Sequence, residues 1–306
     1  ACSSNNETIP APEADPDGDD GTTEVEFAKG ADIGWVTEYE SKGYNFYNAK
    51  GEQRECTALM KELGLDAIRI RVWVDPSKHG NWCNTADVVE KAKRAKELGM
   101  DVMIDFHYSD WWADPAQQNK PASWVGKNLA NLKSAIKDHT VSVLQALKGI
   151  GVIPKWVQVG NEIRPGMLWD EDVALSGASY NVTEKDLKDA PASATDKVVY
   201  PMNWANLGAF VTTGYDAVKS VFPDAIVIVH LDNGWDSGLF TWFFDELKKN
   251  GGKWDMIGMS LYPYWSRDAK EGYSSADAVI TDCISNIKAL STKYNCDVGR
   301  NRYGVR

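Results

Sequence analysis

Several things are scarce in this sequence, and each scarcity removes a class of function. No stretch of the 306 residues approaches the roughly 18–20 apolar residues that a membrane-spanning helix needs. Basic residues are outnumbered, 33 Lys and Arg against 44 Asp and Glu, so a net charge of −11 opposes nucleic acid and anionic membrane as partners. The five cysteines form no CxxC pair and there are four histidines, which leaves no zinc-ligand pattern. No GxGxxG follows the first apolar strand, and neither a Ser-centred elbow nor a phosphate loop occurs elsewhere.

Aromatic residues, by contrast, are plentiful: 13 Trp and 12 Tyr. Core packing accounts for many of them. Trp82, Trp111, Trp112, Trp169, Trp235 and Trp265 instead stand beside Asp, Pro or Gly in segments that read as loops. There, indole faces are available to stack on the apolar faces of sugars.

From residue 30 the chain alternates short apolar strands with amphipathic helices. Strands are expected at 31–36, 67–74, 101–108, 155–163, 225–231 and 254–262, and helices near 54–63, 86–98, 129–150, 204–220, 239–249 and 276–293. In 129–150, Leu129, Leu132, Ile136, Val143, Leu144, Leu147 and Ile150 recur at three- and four-residue spacing, the stripe of an amphipathic helix. The helix–strand joints are short and hold Gly64, Gly99, Gly149 and Gly151.

Such alternation means a parallel sheet, doubly wound or closed into an α/β (β/α)8 TIM barrel. The polar residues favour the barrel, because Trp73, His107, Asp110, Asn161, Glu162, His230, Asp232, Tyr262 and Trp265 gather at the C-terminal ends of different strands. In a barrel those ends open on one face, where active sites of this architecture lie. The loop 166–203 shows no periodicity and is expected to wall a cleft there.

The stretch WVQVGNEIRP (156–165) is the sharpest signal on that face. A carboxylate closing an apolar strand shifts its pKa or needs a partner, because an unpaired charge in a dry interior costs several kcal/mol. Two readings stand side by side. Glu162 is a general acid/base, with Asn161 turned toward a sugar hydroxyl, or it is a structural Glu paired with Arg69 or Arg71 across the barrel. Carboxylates and aromatics around a cleft suit glycoside hydrolysis, in which one acid protonates the leaving oxygen and a second carboxylate attacks the sugar or activates water. His107 and His230 are too few for a metal site and are expected to bond a carboxylate or a hydroxyl.

The N-terminus reads separately. ACSSNN followed by the acidic PEADPDGDDG resembles the start of a bacterial lipoprotein, with Ala1 the last signal residue and Cys2 lipid-bearing. Residues 1–24 are thus expected to be a disordered tether and 25–306 the catalytic domain. On that reading the protein is secreted or displayed at the cell surface as an outer-membrane lipoprotein, with membrane contact only through Cys2. The alternative is a disordered terminus with a free thiol.

The stretches GADIGWV, GYNFYN, RIRVWVDP, FHYSDWWADP, VQVGNEIRPGMLW, VIVHLDNG, WFFDEL and DMIGMSLYPYW, spread in order over about 29–298, resemble glycoside hydrolase family 53, the arabinogalactan endo-β-1,4-galactanases. The resemblance implies retaining hydrolysis of pectic galactan by a monomer, with Glu162 as acid/base and Asn161 orienting the substrate. It places Arg71 beneath the nucleophile and Tyr262 near it, and has Trp73, His107, Asp110, Trp112, His230, Asp232 and Trp265 line the galactan subsites. No organic cofactor or metal is expected. The calcium of some members lies after the seventh strand, in a region absent here.

The family's nucleophile is a Glu ending the seventh strand, in a stretch like V-E-T-G. Here that unit reads YNCDV and then GRNRYGVR, with no Glu after Glu271, and no eighth unit follows. The expectation is an incomplete barrel that lacks the end of strand seven, strand eight and their helices. A one-base slip after Val298 fits this pattern, since the codons GGT CGA AAC AGG TAT GGA GTC AGG read V-E-T-G-M-E-S one base on. The rival readings are a galactan-binding protein without catalysis, and a related barrel glycosidase acting on another β-1,4-glycan.

Overall fold

The structure is a computed structural model; it describes residues 27–169, 203–264, 266 and 275–301. Seven parallel strands form one sheet in the order β1 (Gly30–Asp32), β4 (Ala67–Val72), β5 (Asp101–Phe106), β6 (Trp156–Val159), β7 (Ile226–Leu231), β8 (Met256–Ser260) and β9 (Asp297–Asn301). Each strand pairs with the one before it in that order, and β2 (Phe46–Tyr47) and β3 (Gln53–Arg54) form a small hairpin apart. Helices α2 (Cys56–Glu62), α3 (Thr85–Glu97), α4 (Leu129–Gly149), α5 (Trp204–Val221), α6 (Ser237–Lys249) and α7 (Ala276–Tyr294) return the chain, and a short α1 (Val36–Ser41) follows β1.

This is the arrangement of an incomplete (β/α)8 barrel, and every predicted strand and helix is present within a few residues of its expected bounds. The expected strand at 31–36 is much shorter, because α1 begins at Val36. Among the described residues β1 and β9 are the two edges of the sheet. The proposed lipid-bearing Cys2, Trp265 and most of the loop 166–203 lie outside the described residues.

Local chemistry sets the helix ends. Glu55, Asn84, Asn128, Asn203, Asp236 and Ser275 each accept a backbone N–H at the start of α2 to α7, satisfying donors that a helix leaves open. Four of the returns to the sheet pass through a glycine at positive φ, Gly64, Gly99, Gly151 and Gly251, just beyond a helix end.

The two faces of the strands separate two tasks. Ile68, Ile70, Val72, Ile104, Phe106, Val157, Val159, Val229, Leu231, Ile257 and Met259 point outward, all with no accessible surface, and pack under the helices. Inside, a small apolar cluster of Ala67, Trp156 and Ile228, with Met103, Ile226 and Met256 against it, lies toward the N-terminal ends of the strands. Above it the inward positions turn polar.

One close approach tests this packing. At Gly208 on α5 an added Cβ would fall 2.3 Å from the carbonyl oxygen of Asn250, a backbone atom that cannot swing away. Gly208→Ala is therefore expected to lower unfolding stability by about 1–3 kcal/mol despite the better helix propensity of alanine. Urea denaturation of the two chains measures it, and an unchanged midpoint would show that the α5–α6 contact is loose.

Candidate active site

The inward polar residues form one connected network. Arg69, from the middle of β4, donates to Asp32 of β1 at 2.6 Å and pairs with Asp105 of β5 at 2.7 Å. Its second nitrogen also donates to Asn161 Oδ1 at 2.9 Å and to Gln158 Oε1 at 3.2 Å. Gln158, fully buried on β6, donates in turn to Asp105 Oδ1 at 2.7 Å. Burial opposes ionisation of Asp32, but the guanidinium groups of Arg69 and Arg71 outweigh it and hold its carboxyl below the usual range.

Two buried histidines are held in place by their partners. His107 Nδ1 accepts from Trp73 Nε1 at 3.2 Å and from the Ala113 amide at 3.0 Å, so the proton sits on Nε2, which faces Asp105 at 3.0 Å. His230 Nδ1 faces the Glu162 amide at 3.3 Å, the Gln158 amide nitrogen at 3.0 Å and Asn161 Oδ1 at 3.1 Å, and its Nε2 faces Ser260 Oγ at 2.9 Å. Burial, then Arg69 and His107, press the pKa of His230 well below its ordinary value. Neither imidazole is arranged to bind metal, and no metal-binding group of His, Cys, Asp or Glu occurs among the described residues.

Glu162 stands at the mouth of this network. It is 8% exposed, and among the described residues its Oε1 has no hydrogen-bond partner. Burial and then the charge of Asp232 push its pKa up to about 8, against weaker opposing pulls from Ser260 and Arg69. The ion-pair reading of Glu162 does not hold, because Arg69 pairs with Asp32 and Asp105, and Arg71 with Asp32. Its backbone lies at φ +51°, and Tyr108 and Asn233, just past β5 and β7, lie at +50° and +53°. Left-handed backbone at such residues costs about 1–3 kcal/mol each and marks places where the fold imposes a direction on the chain.

The structure gathers the other expected site residues on the same face, in differing roles. Asn161 is held by Arg69 and donates to the Ala113 carbonyl at 2.6 Å. Arg71 lies over the Trp112 ring at 4.2 Å, beside the buried Trp73. Asp110 staples two loops, accepting from the Asp75 and Ala122 amides at 2.9 Å each. Asp232 is gripped by Arg164 through bonds of 2.7 and 2.8 Å. Tyr262 is half-buried, and burial, then the charge of Glu162, raise its pKa. Among the loop tryptophans, Trp169 and Trp235 are buried and serve packing, while Trp82, Trp111 and Trp112 keep partial exposure.

Asp32, Asp105, Gln158, Arg164 and Ser260 belong to the site and were not singled out in the sequence. The alternation of polar with apolar residues in RIRV and in DVMIDFH was the available signal for the inner layer. Arg164 and Ser260 carry no comparable signal. Cys56, Cys83, Cys283 and Cys296 are free thiols.

The model of the family described as glycosyl hydrolase family 53 matches residues 28–299. An uncharacterized protein in the bgaB 5′ region of Niallia circulans is 37% identical over 242 residues, 79% of this chain and 60% of that protein. An arabinogalactan endo-β-1,4-galactanase of Thermothelomyces thermophilus is 34% identical over 283 residues, 90% of this chain and 76% of that enzyme. The chain thus spans about three-fifths to three-quarters of these relatives. Among solved structures, one of two fungal β-1,4-galactanases superposes with a TM-score of 0.72 at 30% identity, covering 89% of this chain and 72% of the other.

The proton on Glu162 has a measurable consequence. Its folded pKa, about 8, exceeds the 4.5 of an unperturbed Glu, so between those values the folded state holds a proton that the unfolded chain has lost. This contribution to stability is present in full below about pH 4.5 and is lost as pH rises toward 8. Glu162→Gln, which cannot ionise, is expected to gain on the unaltered chain by more than about 1 kcal/mol between pH 5 and pH 8. Urea unfolding at both pH values checks this; a pH-independent difference would mean that Glu162 titrates like an exposed carboxyl.

Proposed function

This chain belongs to glycoside hydrolase family 53, and from that premise we propose that the protein hydrolyses internal β-1,4-galactosidic bonds of pectic galactan with retention. The observation that carries the reading is the Glu162 carboxyl, protonated near neutral pH, with one oxygen unpartnered among the described residues at the C-terminal mouth of the barrel. Its proton goes to the glycosidic oxygen as the bond to C1 breaks. After a carboxylate has formed the glycosyl ester, ionised Glu162 removes a proton from the attacking water. A pKa near 8 keeps the acid form loaded at neutral pH, and the negative charge of the glycosyl ester's parent carboxylate disappears when the ester forms, which favours loss of the proton for the second step.

Asn161 presents its amide to the sugar hydroxyl beside the cleaved bond, held in place by Arg69. Trp112, stiffened by Arg71 over its ring, offers an aromatic wall. No organic cofactor enters this chemistry.

The second carboxylate is not evident among the described residues of this face. On this face Asp32 and Asp105 are tied to Arg69, Asp232 to Arg164, and Asp114 accepts three bonds from its own loop. Among the described residues none of these is free at the roughly 5–5.5 Å from Glu162 that a retaining nucleophile needs. This observation favours, for the polypeptide as given, the second reading of a galactan binder with little turnover.

Purified polypeptide is expected to bind linear β-1,4-galactan in affinity electrophoresis, in preference to mannan, xylan or cellulose. Its release of reducing ends should lie at least about 10³-fold below that of an intact family 53 enzyme. Turnover at the rate of such an enzyme would refute the missing-nucleophile account, and preferential binding of another glycan would refute the substrate.

A further inference from the structure

We propose that His79, held flat on Trp111, is a galactosyl-binding platform that extends the cleft outward along the loop after β4. The inference rests on the galactan reading of the cleft and adds a subsite that the sequence pattern did not reveal.

The imidazole of His79 stacks on the Trp111 indole with ring centroids 3.7 Å apart and planes inclined by 22°. Trp111 leans on Trp73 at 4.4 Å, and Trp73 in turn meets Trp112 at 5.7 Å and bonds His107. A continuous ladder of rings therefore runs from the wall of the cleft to an exposed side chain at its outer end. One face of His79 is covered by Trp111, so its exposure comes from the opposite face and the ring edge.

The platform is built rather than incidental. Pro76–His79 is a tight 3-10 turn whose first amides are fastened: Ser77 N–H donates to Asp75, and Asp75 N–H donates to Asp110 of the neighbouring loop. The turn ends at Gly80, at φ +78°, where an added Cβ would come within 2.8 Å of the Trp82 indole nitrogen. Trp111, with a face already covered by His79, cannot offer that face to a sugar. It works through the imidazole it supports.

The chemistry of the ligand follows from the ring. A flat, rigid aromatic face with a hydrogen-bonding edge suits a sugar with one C–H-rich face. β-Galactose has such a face because its axial O4 leaves the C–H bonds of C3, C4 and C5 together on the other side. In mannose and glucose O4 is equatorial and that face is less uniform. Continuity of the ladder with the cleft makes the next galactosyl residue of the same chain the occupant.

Affinity electrophoresis of the full 306-residue chain in gels containing linear β-1,4-galactan tests this. His79→Ala is expected to weaken retardation about three- to tenfold, the worth of one aromatic contact, while His79→Tyr stays within about twofold of the unaltered chain. Trp111→Ala should lose as much as His79→Ala, because the support goes with it, and thermal melts of all variants check that the fold is kept. Unchanged retardation of His79→Ala, or His79→Tyr as weak as His79→Ala, would overturn the platform. Equal losses in β-1,4-mannan gels would overturn its match to galactose. If the unaltered chain is not retarded at all by galactan, the substrate reading itself fails and the subsite with it.

Discussion

The guanidinium of Arg69, buried inside the barrel, is the interaction on which the rest of the site depends. Two carboxylates, Asp32 and Asp105, meet it from neighbouring strands at 2.6 and 2.7 Å. Taking such charges out of water costs several kcal/mol per ion, which Coulomb attraction offsets only with good geometry and satisfied hydrogen bonds. Gln158 and Asn161 help satisfy this cluster, Gln158 toward both Arg69 and Asp105 and Asn161 toward Arg69. Removing one member would strand a buried charge, a loss of about 3–5 kcal/mol in comparable cases. The cluster gains no surplus stability from being ionic; it gains a defined position for Asn161, the residue next to Glu162.

The same balance of charge bears on the proton of Glu162. Arg69 pulls the Glu162 pKa down, but by less than burial and Asp232 push it up. Asp32 and Asp105 pair with Arg69, and Asp32 also with Arg71. What remains is burial and Asp232, and both favour the protonated form. Arg164 binds both oxygens of Asp232 and holds that carboxylate in place. One charged layer thus feeds the next, and an acid poised near neutrality comes out at the top.

Much of this was legible in the sequence, for a physical reason. The strands are short enough, and the helices periodic enough, that the outer core of Ile, Val, Leu and Phe announces itself. The left-handed glycines mark the returns, although Gly149 proved to end α4 while Gly251, which had passed unremarked, marks the return after α6. Glu162 and Asn161 stood out because polar residues at the end of an apolar strand are anomalous. Asp110 and Asp232 stood out for the same reason, yet their oxygens are engaged by loop amides and by Arg164. Position on a face is readable from spacing, whereas the identity of a carboxylate's partner is a three-dimensional fact. His79 was invisible for the converse reason, since nothing in a PSKHG turn shows that a tryptophan 32 residues later will lie flat beneath it.

That distinction bears on what the carboxylates of this face can do. A nucleophile must be ionised and close to C1, with one lone pair directed at it. Asp32, Asp105 and Asp232 are each held by an arginine. Glu162 is the reverse case, with a free oxygen and a proton. Arginine thus engages three carboxylates of this face, while one Glu162 oxygen has no partner among the described residues. The covalent half of the proposed double displacement needs a further carboxylate, close enough to C1 to attack it.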